Sequence, residues 1–255
     1  MINYDFHDLS KRTDRELEQQ ITEGFTFGSY NSTENGMFLI SRDAPTPDEK
    51  EIVESVPYMQ GVYDFSTLNG GERYFSNREI TYQVILFNEN YSTRKSAEQE
   101  IKRQLTPLNI QPLYDTHDVG FHWLGKAKNI TVEDDDKLNM LTATIKFDCY
   151  PFAIANNVEG SDVWDEVFFP HWIFQDTKYT VNGTQVINLY NIGSKSIECE
   201  LVVSGSVTVA GSFGSVKLKS GNYTDTQLVL TIGANRLTLI GKGAIEFKFY
   251  REEMI

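Results

Sequence analysis

Cysteine is nearly absent from this chain: Cys149 and Cys199 are the only two in 255 residues, and no CxxC pair occurs. A disulfide framework and a thiolate zinc site are thereby excluded. Both residues fall at apolar-facing positions of expected strands, where buried thiols are the reading. Histidine is scarce as well. His7, His117, His122 and His171 have neither HExxH spacing nor a cysteine grouping, so surface or packing roles are expected and no metal. No apolar run approaches the length of a membrane span, so no membrane insertion is expected. The opening MINYDFHDLSKRTDRELEQQ has no apolar segment, so no signal peptide is expected, and synthesis in a cytoplasm is. Basic residues are in deficit, 23 against 36 acidic, for a net charge of -13. That argues against binding a nucleic-acid backbone, which requires a basic surface.

Catalytic signatures are missing too. There is no G-x-S-x-G elbow, and Gly-Ser-Phe-Gly-Ser at 211–215 is not followed by the Lys-Ser or Lys-Thr of a phosphate-binding loop. No cofactor is expected. Two acids at a suitable separation suffice for a glycosidase, and Asp162, Asp165 and Glu166 lie beside Trp164 and Trp172. A sugar-stacking cleft there is the alternative, with domain docking or core packing the preferred role for the two tryptophans.

What is present is β signal. Aromatics are plentiful, 16 Phe and 13 Tyr, and the length suits two medium domains, at 1–152 and 153–255. Ile80, Tyr82, Val84 and Leu86 alternate with Glu79, Thr81 and Gln83; Leu141, Ala143, Ile145, Phe147 and Cys149 alternate with Thr142, Thr144, Lys146 and Asp148. Both are half-buried strands. A short helix is expected before Phe25, with Thr13 and Glu16 as a capping box. A second runs from a cap at Ser92 or Thr93 to about Leu105, before Pro107, with Ala97, Ile101 and Leu105 as its apolar stripe. Glu133 to Asp136 reads as a solvated hairpin turn. Arg42 to Pro57, rich in loop residues and containing Pro45, Pro47, Ile52 and Val53, reads as a projecting arm. After residue 174 come short strands separated by Gly, Asn and Ser: Tyr179–Val181, Val186–Tyr190, Ile197–Val203, Val207–Val209, Val216–Leu218, Leu228–Ile232, Leu237–Ile240 and Ile245–Phe249. This rhythm predicts an antiparallel sandwich.

The densest pattern is VPYMQGVYDFSTLNGGERYFSNREITYQVILF, from Val56 to Phe87. It places a short strand before a reversal at Asn69-Gly70-Gly71 and an alternating strand after it. Gly61, Asp64, Ser66, Gly70, Gly71, Glu72, Tyr74, Phe75, Asn77, Arg78, Ile80 and Thr81 make a pattern that resembles the distal tail proteins of long-tailed bacteriophages. The closing IGANRLTLIGKGAIEFKFYREEMI resembles the Gly-rich hairpin and last strand of that family. The resemblance implies a mainly β protein: an N-terminal β-sandwich with one helix and a projecting arm, then a C-terminal galectin-like antiparallel β-sandwich. It implies a non-enzymatic virion protein at the tail tip or baseplate, made in the cytoplasm of a bacterial host. Six copies would form a ring meeting the major tail tube protein, a tail-associated fibre or hub protein, the tape-measure protein and the receptor-binding assembly. By the same resemblance Arg42 to Pro57 is the arm, and Tyr58, Asp64, Glu72, Arg73, Tyr74, Phe75 and Arg78 lie near ring or partner contacts. A free-standing carbohydrate-binding β-sandwich and a cell-wall glycosidase are the alternatives.

Overall fold

A computed structural model of the chain describes residues 23–67, 71–161, 173–224 and 228–255. The helix expected before Phe25, and Trp164 and Trp172, lie outside the described residues. The fold is mainly β and divides into two units. The first takes the described residues of Met1–Pro45 with Arg78–His117 and Leu124–Cys149; the second takes those of Thr46–Asn77, Asp118–Trp123 and Tyr150–Ile255.

In the first unit, strands numbered in chain order are β1 (Phe25–Phe27), β2 (Tyr30–Asn31), β3 (Phe38–Asp43), β6 (Arg78–Leu86), β7 (Gln111–Asp115), β8 (Phe121–Asp135, its first residues counting with the second unit) and β9 (Met140–Cys149). They hydrogen-bond in the order β2-β1-β7-β8-β9-β6-β3. Alternation is what places β6 and β9 at the centre. Tyr82 pairs with Ile145, Ile80 with Phe147 and Val84 with Ala143, and all six are fully buried. Phe25 of β1 stacks on Tyr82 of β6 at 5.2 Å and meets Phe147 of β9 edge-on at 5.7 Å, although β7 and β8 separate β1 from them in the hydrogen-bond order. The sheet therefore folds over on itself into two facing layers, the sandwich expected for this part.

Helix α1 (Tyr91–Leu105) covers part of this unit. Its cap is Asn90, whose side chain accepts from the Thr93 amide at 3.0 Å, and not Ser92 or Thr93 as the sequence suggests. Ile101 and Leu105 are fully buried, each contributing about 2 kcal/mol. Arg94 lies on the same stripe and is buried too. It donates to Asp134 and Asp136 and to the Glu89 carbonyl. The acidic run is not the solvated hairpin turn expected from sequence: Glu133, Asp134 and Asp135 end β8 and only Asp136 lies in the β8–β9 turn, while Asp134 and Asp136 neutralise a buried guanidinium, which burial would otherwise penalise.

The second unit holds β4 (Val53–Glu54), β5 (Tyr63–Asp64), β10 (Ala153–Ala155), β11 (Lys178–Asn191), β12 (Ile197–Glu198), β13 (Glu200–Gly211), β14 (Gly214–Tyr223), β15 (Val229–Leu230), β16 (Gly233–Lys248) and β17 (Glu252–Glu253). A four-stranded antiparallel sheet, β11-β16-β13-β14, dominates, and β12 pairs with β15. Its apolar core includes Leu189, Leu201, Val207, Leu239 and Phe247. Here the structure departs from the sequence reading. Tyr179–Val181 and Val186–Tyr190 are one strand running through Asn182-Gly183; Ile245–Phe249 continues Leu237–Ile240 through Gly241-Lys242-Gly243; and β13 runs through Ser204-Gly205-Ser206. These glycines face one another, Gly183 opposite Gly241 and Gly205 opposite Gly243, with a register shift between Val203 and Ser206. The pairs across β11–β16 and β13–β16 are in unbroken register, so these glycines lie inside strands and not in turns; the shift is in β13 against β14, where Ser204 and Gly205 bulge out of the ladder. A Cβ at Gly241 (φ 139) would lie 2.2 Å from the Ser206 carbonyl oxygen, so only glycine allows the approach.

Candidate functional site

The arm begins later than the sequence suggests. Arg42 and Asp43 are still in β3, opposite Tyr82 and Thr81, because the Arg42 side chain is held by Asp115. Beyond Thr46 the chain goes out and returns as a narrow ribbon. At its root the Ser76 amide donates to the Asp48 carbonyl and the Lys50 amide to the Tyr74 carbonyl, both at 2.8 Å, and Glu49 bridges Phe75. Further out the Phe65 amide donates to the Ile52 carbonyl and the Ile52 amide to Ser66 Oγ, each at 2.8 Å. β4 then pairs with β5, Val53 opposite Asp64 and Glu54 opposite Tyr63. The strand marked by Asp64 therefore partners β4, whereas the sequence pairs it with Arg78–Leu86 across the Gly-Gly reversal. Residues 69 and 70 of that reversal lie outside the described residues.

Asp64 and Ser66 lock the ribbon. The Ser66 amide donates to Asp64 Oδ1 at 2.8 Å, and hydrogen bonds from the Ser66 side chain and amide hold the Asp64 carboxyl below its ordinary range. Arg73 pairs with Glu49 and lies 5.6 Å over the Phe75 ring; that hydrogen bond lowers the Glu49 carboxyl and raises the guanidinium. Beyond this pairing, the ribbon presents apolar side chains to solvent. Tyr58, at the tip with φ 69, is fully exposed at 108 %, and Ile52, Val53, Val56, Val62 and Tyr63 are each about half exposed or more. A two-stranded ribbon this apolar is marginal alone, and contiguous exposed apolar side chains are characteristic of contact surfaces.

The ribbon's root packs within its own unit. Phe75 meets Phe152 edge-on at 5.8 Å, Glu72 accepts from the Ser196 hydroxyl, and Lys195 lies over Tyr150 and Phe152 while its ammonium donates to the Tyr150 hydroxyl at 2.8 Å. Of the residues singled out from sequence, Tyr58, Asp64 and Tyr74 are exposed, as are Pro45, Ile52 and Val53 of the arm. Glu72, Arg73 and Phe75 are engaged within the chain. Arg78 is 2 % exposed, sits opposite Cys149 in β6 and donates to the Ala44 carbonyl, so it has no surface for a partner. Pro47 is buried as well. Val56, inside the expected arm, and Val62, Tyr63 and Phe65, inside the Tyr58 to Arg78 region expected near ring contacts, are not singled out by the sequence. Their signal was present: apolar residues crowded into a segment too turn-rich to bury them.

Among the described residues no three His, Cys, Asp or Glu side chains are grouped to hold a metal. His122 Nδ1 lies 2.8 Å from Asn156 Oδ1.

The sequence matches no family model and no curated protein. Its architecture does match a solved structure. The Dit (gp 19.1) protein of phage SPP1, described as a paradigm of the hub adsorption apparatus in phages infecting Gram-positive bacteria, aligns with a TM-score of 0.62 at 10 % identity, covering 89 % of this chain and 98 % of that one. The fold is that of a phage distal tail protein. Two chains from the phage p2 baseplate in its activated conformation, with Sr and with Ca, align at TM-scores of 0.43 and 0.42 and 9 % and 8 % identity, covering 90 % and 91 % of this chain. At 10 % identity the chain shares its fold with the SPP1 protein almost without shared sequence, which is what a core specified by alternation and volume permits.

Proposed function

We propose that this chain is a structural hub of a phage tail tip. Six copies close into a ring, and each β4–β5 ribbon lays its apolar side chains on the next copy. The observation that carries the proposal is the pairing of a Dit fold over nearly the whole chain with a ribbon exposing Ile52, Val53, Val56, Tyr58 and Val62. A ring requires a head-to-tail contact between two different patches of the same surface, and a protruding ribbon supplies one of them. The ring joins the tail tube to the baseplate, with tail-tube, tape-measure and hub or fibre proteins on its faces and the receptor-binding assembly outward, in a role that is structural and not catalytic.

Light scattering after size exclusion tests this. The expected mass is near six times 29.1 kDa. The variant Val53→Asp/Tyr58→Asp should run as a monomer with an unchanged melting temperature, since both side chains already face solvent. A monomer at every concentration that also forms no ring with tail-tube protein would overturn the proposal.

A further inference from the structure

The acidic excess of this chain is not spread evenly. Residues 179–191, 201–223 and 228–245, which build most of the four-stranded sheet, contain no Asp or Glu, yet they carry Lys217, Lys219, Arg236 and Lys242. Register puts all four on one face. In β16, Leu237 and Leu239 are buried, so Arg236 and Lys242 point outward; in β14, Leu218 is buried between Lys217 and Lys219. Cross-strand rows then read Asn182–Lys242–Ser206–Lys219 and Thr184–Ile240–Thr208–Lys217, with Asn188–Arg236 beyond them. All four cations are exposed, and among the described residues none has a carboxylate within ion-pair distance. The first carboxylate in the register is Glu246, already paired with Lys178 at 3.3 Å, at the far end of the sheet.

We infer that this solvent-facing sheet surface binds a linear polyanion, namely a phosphodiester-linked polyol or glycan chain. Lys217 and Lys219 stand about 7 Å apart along β14, and Lys219 and Lys242 about 10 Å apart across β13, distances a repeating phosphate polymer spans from one charge to the next. Between the cations lie hydroxyl and amide side chains, Asn182, Thr184, Ser206 and Thr208, suited to polyol hydroxyls. The composition disfavours the other anionic partners. Protein interfaces are depleted in lysine and built on aromatic anchors, and single-stranded nucleic acid is held by stacking on aromatic rings. Neither cross-strand row contains an aromatic residue. The inference does not depend on ring formation.

The test is equilibrium binding of the full chain to poly(glycerol phosphate) fragments at low and moderate salt, beside neutral dextran and a single-stranded DNA of equal charge. The expected result is binding of the phosphate polymer that weakens with salt, none of dextran, and a loss of about tenfold or more in Lys217→Gln/Lys219→Gln/Lys242→Gln. That variant should melt as the parent does. The control Lys178→Gln/Lys248→Gln, at the other end of the sheet, should keep full affinity. No binding at low salt, unchanged affinity in the triple variant, or an equal loss in the control would overturn the site. DNA bound as tightly as the phosphate polymer would overturn the assignment of the ligand.

Discussion

Arg42 of β3 donates through Nε to the buried Asp115 of β7 at 3.0 Å, and the Tyr82 hydroxyl of β6 donates to the same carboxylate oxygen. β3 and β7 are far apart in the hydrogen-bond order, so this polar clasp joins the two layers of the folded sheet. Burial and the neighbouring carboxylate push the Tyr82 hydroxyl well above its ordinary pKa, keeping it a donor.

Removing the shared acceptor should be worse than removing one donor. Asp115→Ala removes the acceptor that a guanidinium and a hydroxyl share and should cost about 3–5 kcal/mol. Tyr82→Phe, which leaves the Arg42–Asp115 pair in place, should cost about 1 kcal/mol. Urea midpoints compare them, and equal losses would show that the carboxylate is not the hinge of the clasp.

The facing glycines make a second contrast. Gly241→Ala drives a Cβ to 2.2 Å from the Ser206 carbonyl oxygen, whereas at Gly183 (φ 99) the Cβ meets nothing within 4 Å. The first should destabilise by about 3 kcal/mol or more and the second by about 1–2 kcal/mol, the backbone strain alone. Denaturant titration of the two variants decides it.

Both thiols should be inert in the native protein. Burial pushes Cys149 and Cys199 up to about 12, leaving almost no thiolate at neutral pH. A thiol reagent at pH 8 should label neither until denaturant is added; rapid labelling of the native chain would contradict their burial.

Glu159 gives a pH signature. Burial raises its carboxyl above the ordinary 4.5, against the pull of Arg251 and of Gln175, which donates to it at 3.2 Å. A folded pKa above the unfolded one means stability that is complete below 4.5 and is lost as pH rises through the folded value. Glu159→Gln removes that loss, so its stability relative to the parent should increase between pH 4.5 and 8. A difference independent of pH would rule the assignment out.

Sequence alone determined the elements whose information is local. The alternation of Ile80 to Leu86 and of Leu141 to Cys149 could satisfy only a half-buried strand, and Ile101 and Leu105 at helical spacing required a surface to cover. The likeness of Gly61 to Thr81 to the distal tail proteins, and hence the fold, was also legible there. What only the tertiary structure decided depends on partners distant in sequence. Asn182-Gly183 and Gly241-Lys242-Gly243 look like turns locally, because glycine at positive φ is what a turn demands; only the in-register facing of Gly183 and Gly241 across two strands makes them strand interior. Arg78 and Arg94 look like surface residues, because the groups that neutralise or accept from them, Ala44, Asp134 and Asp136, lie tens of residues away. The cationic face arises the same way. Lys217, Lys219, Arg236 and Lys242 are scattered along the chain, and register alone, by placing a side chain on one face or the other, gathers them on a single surface.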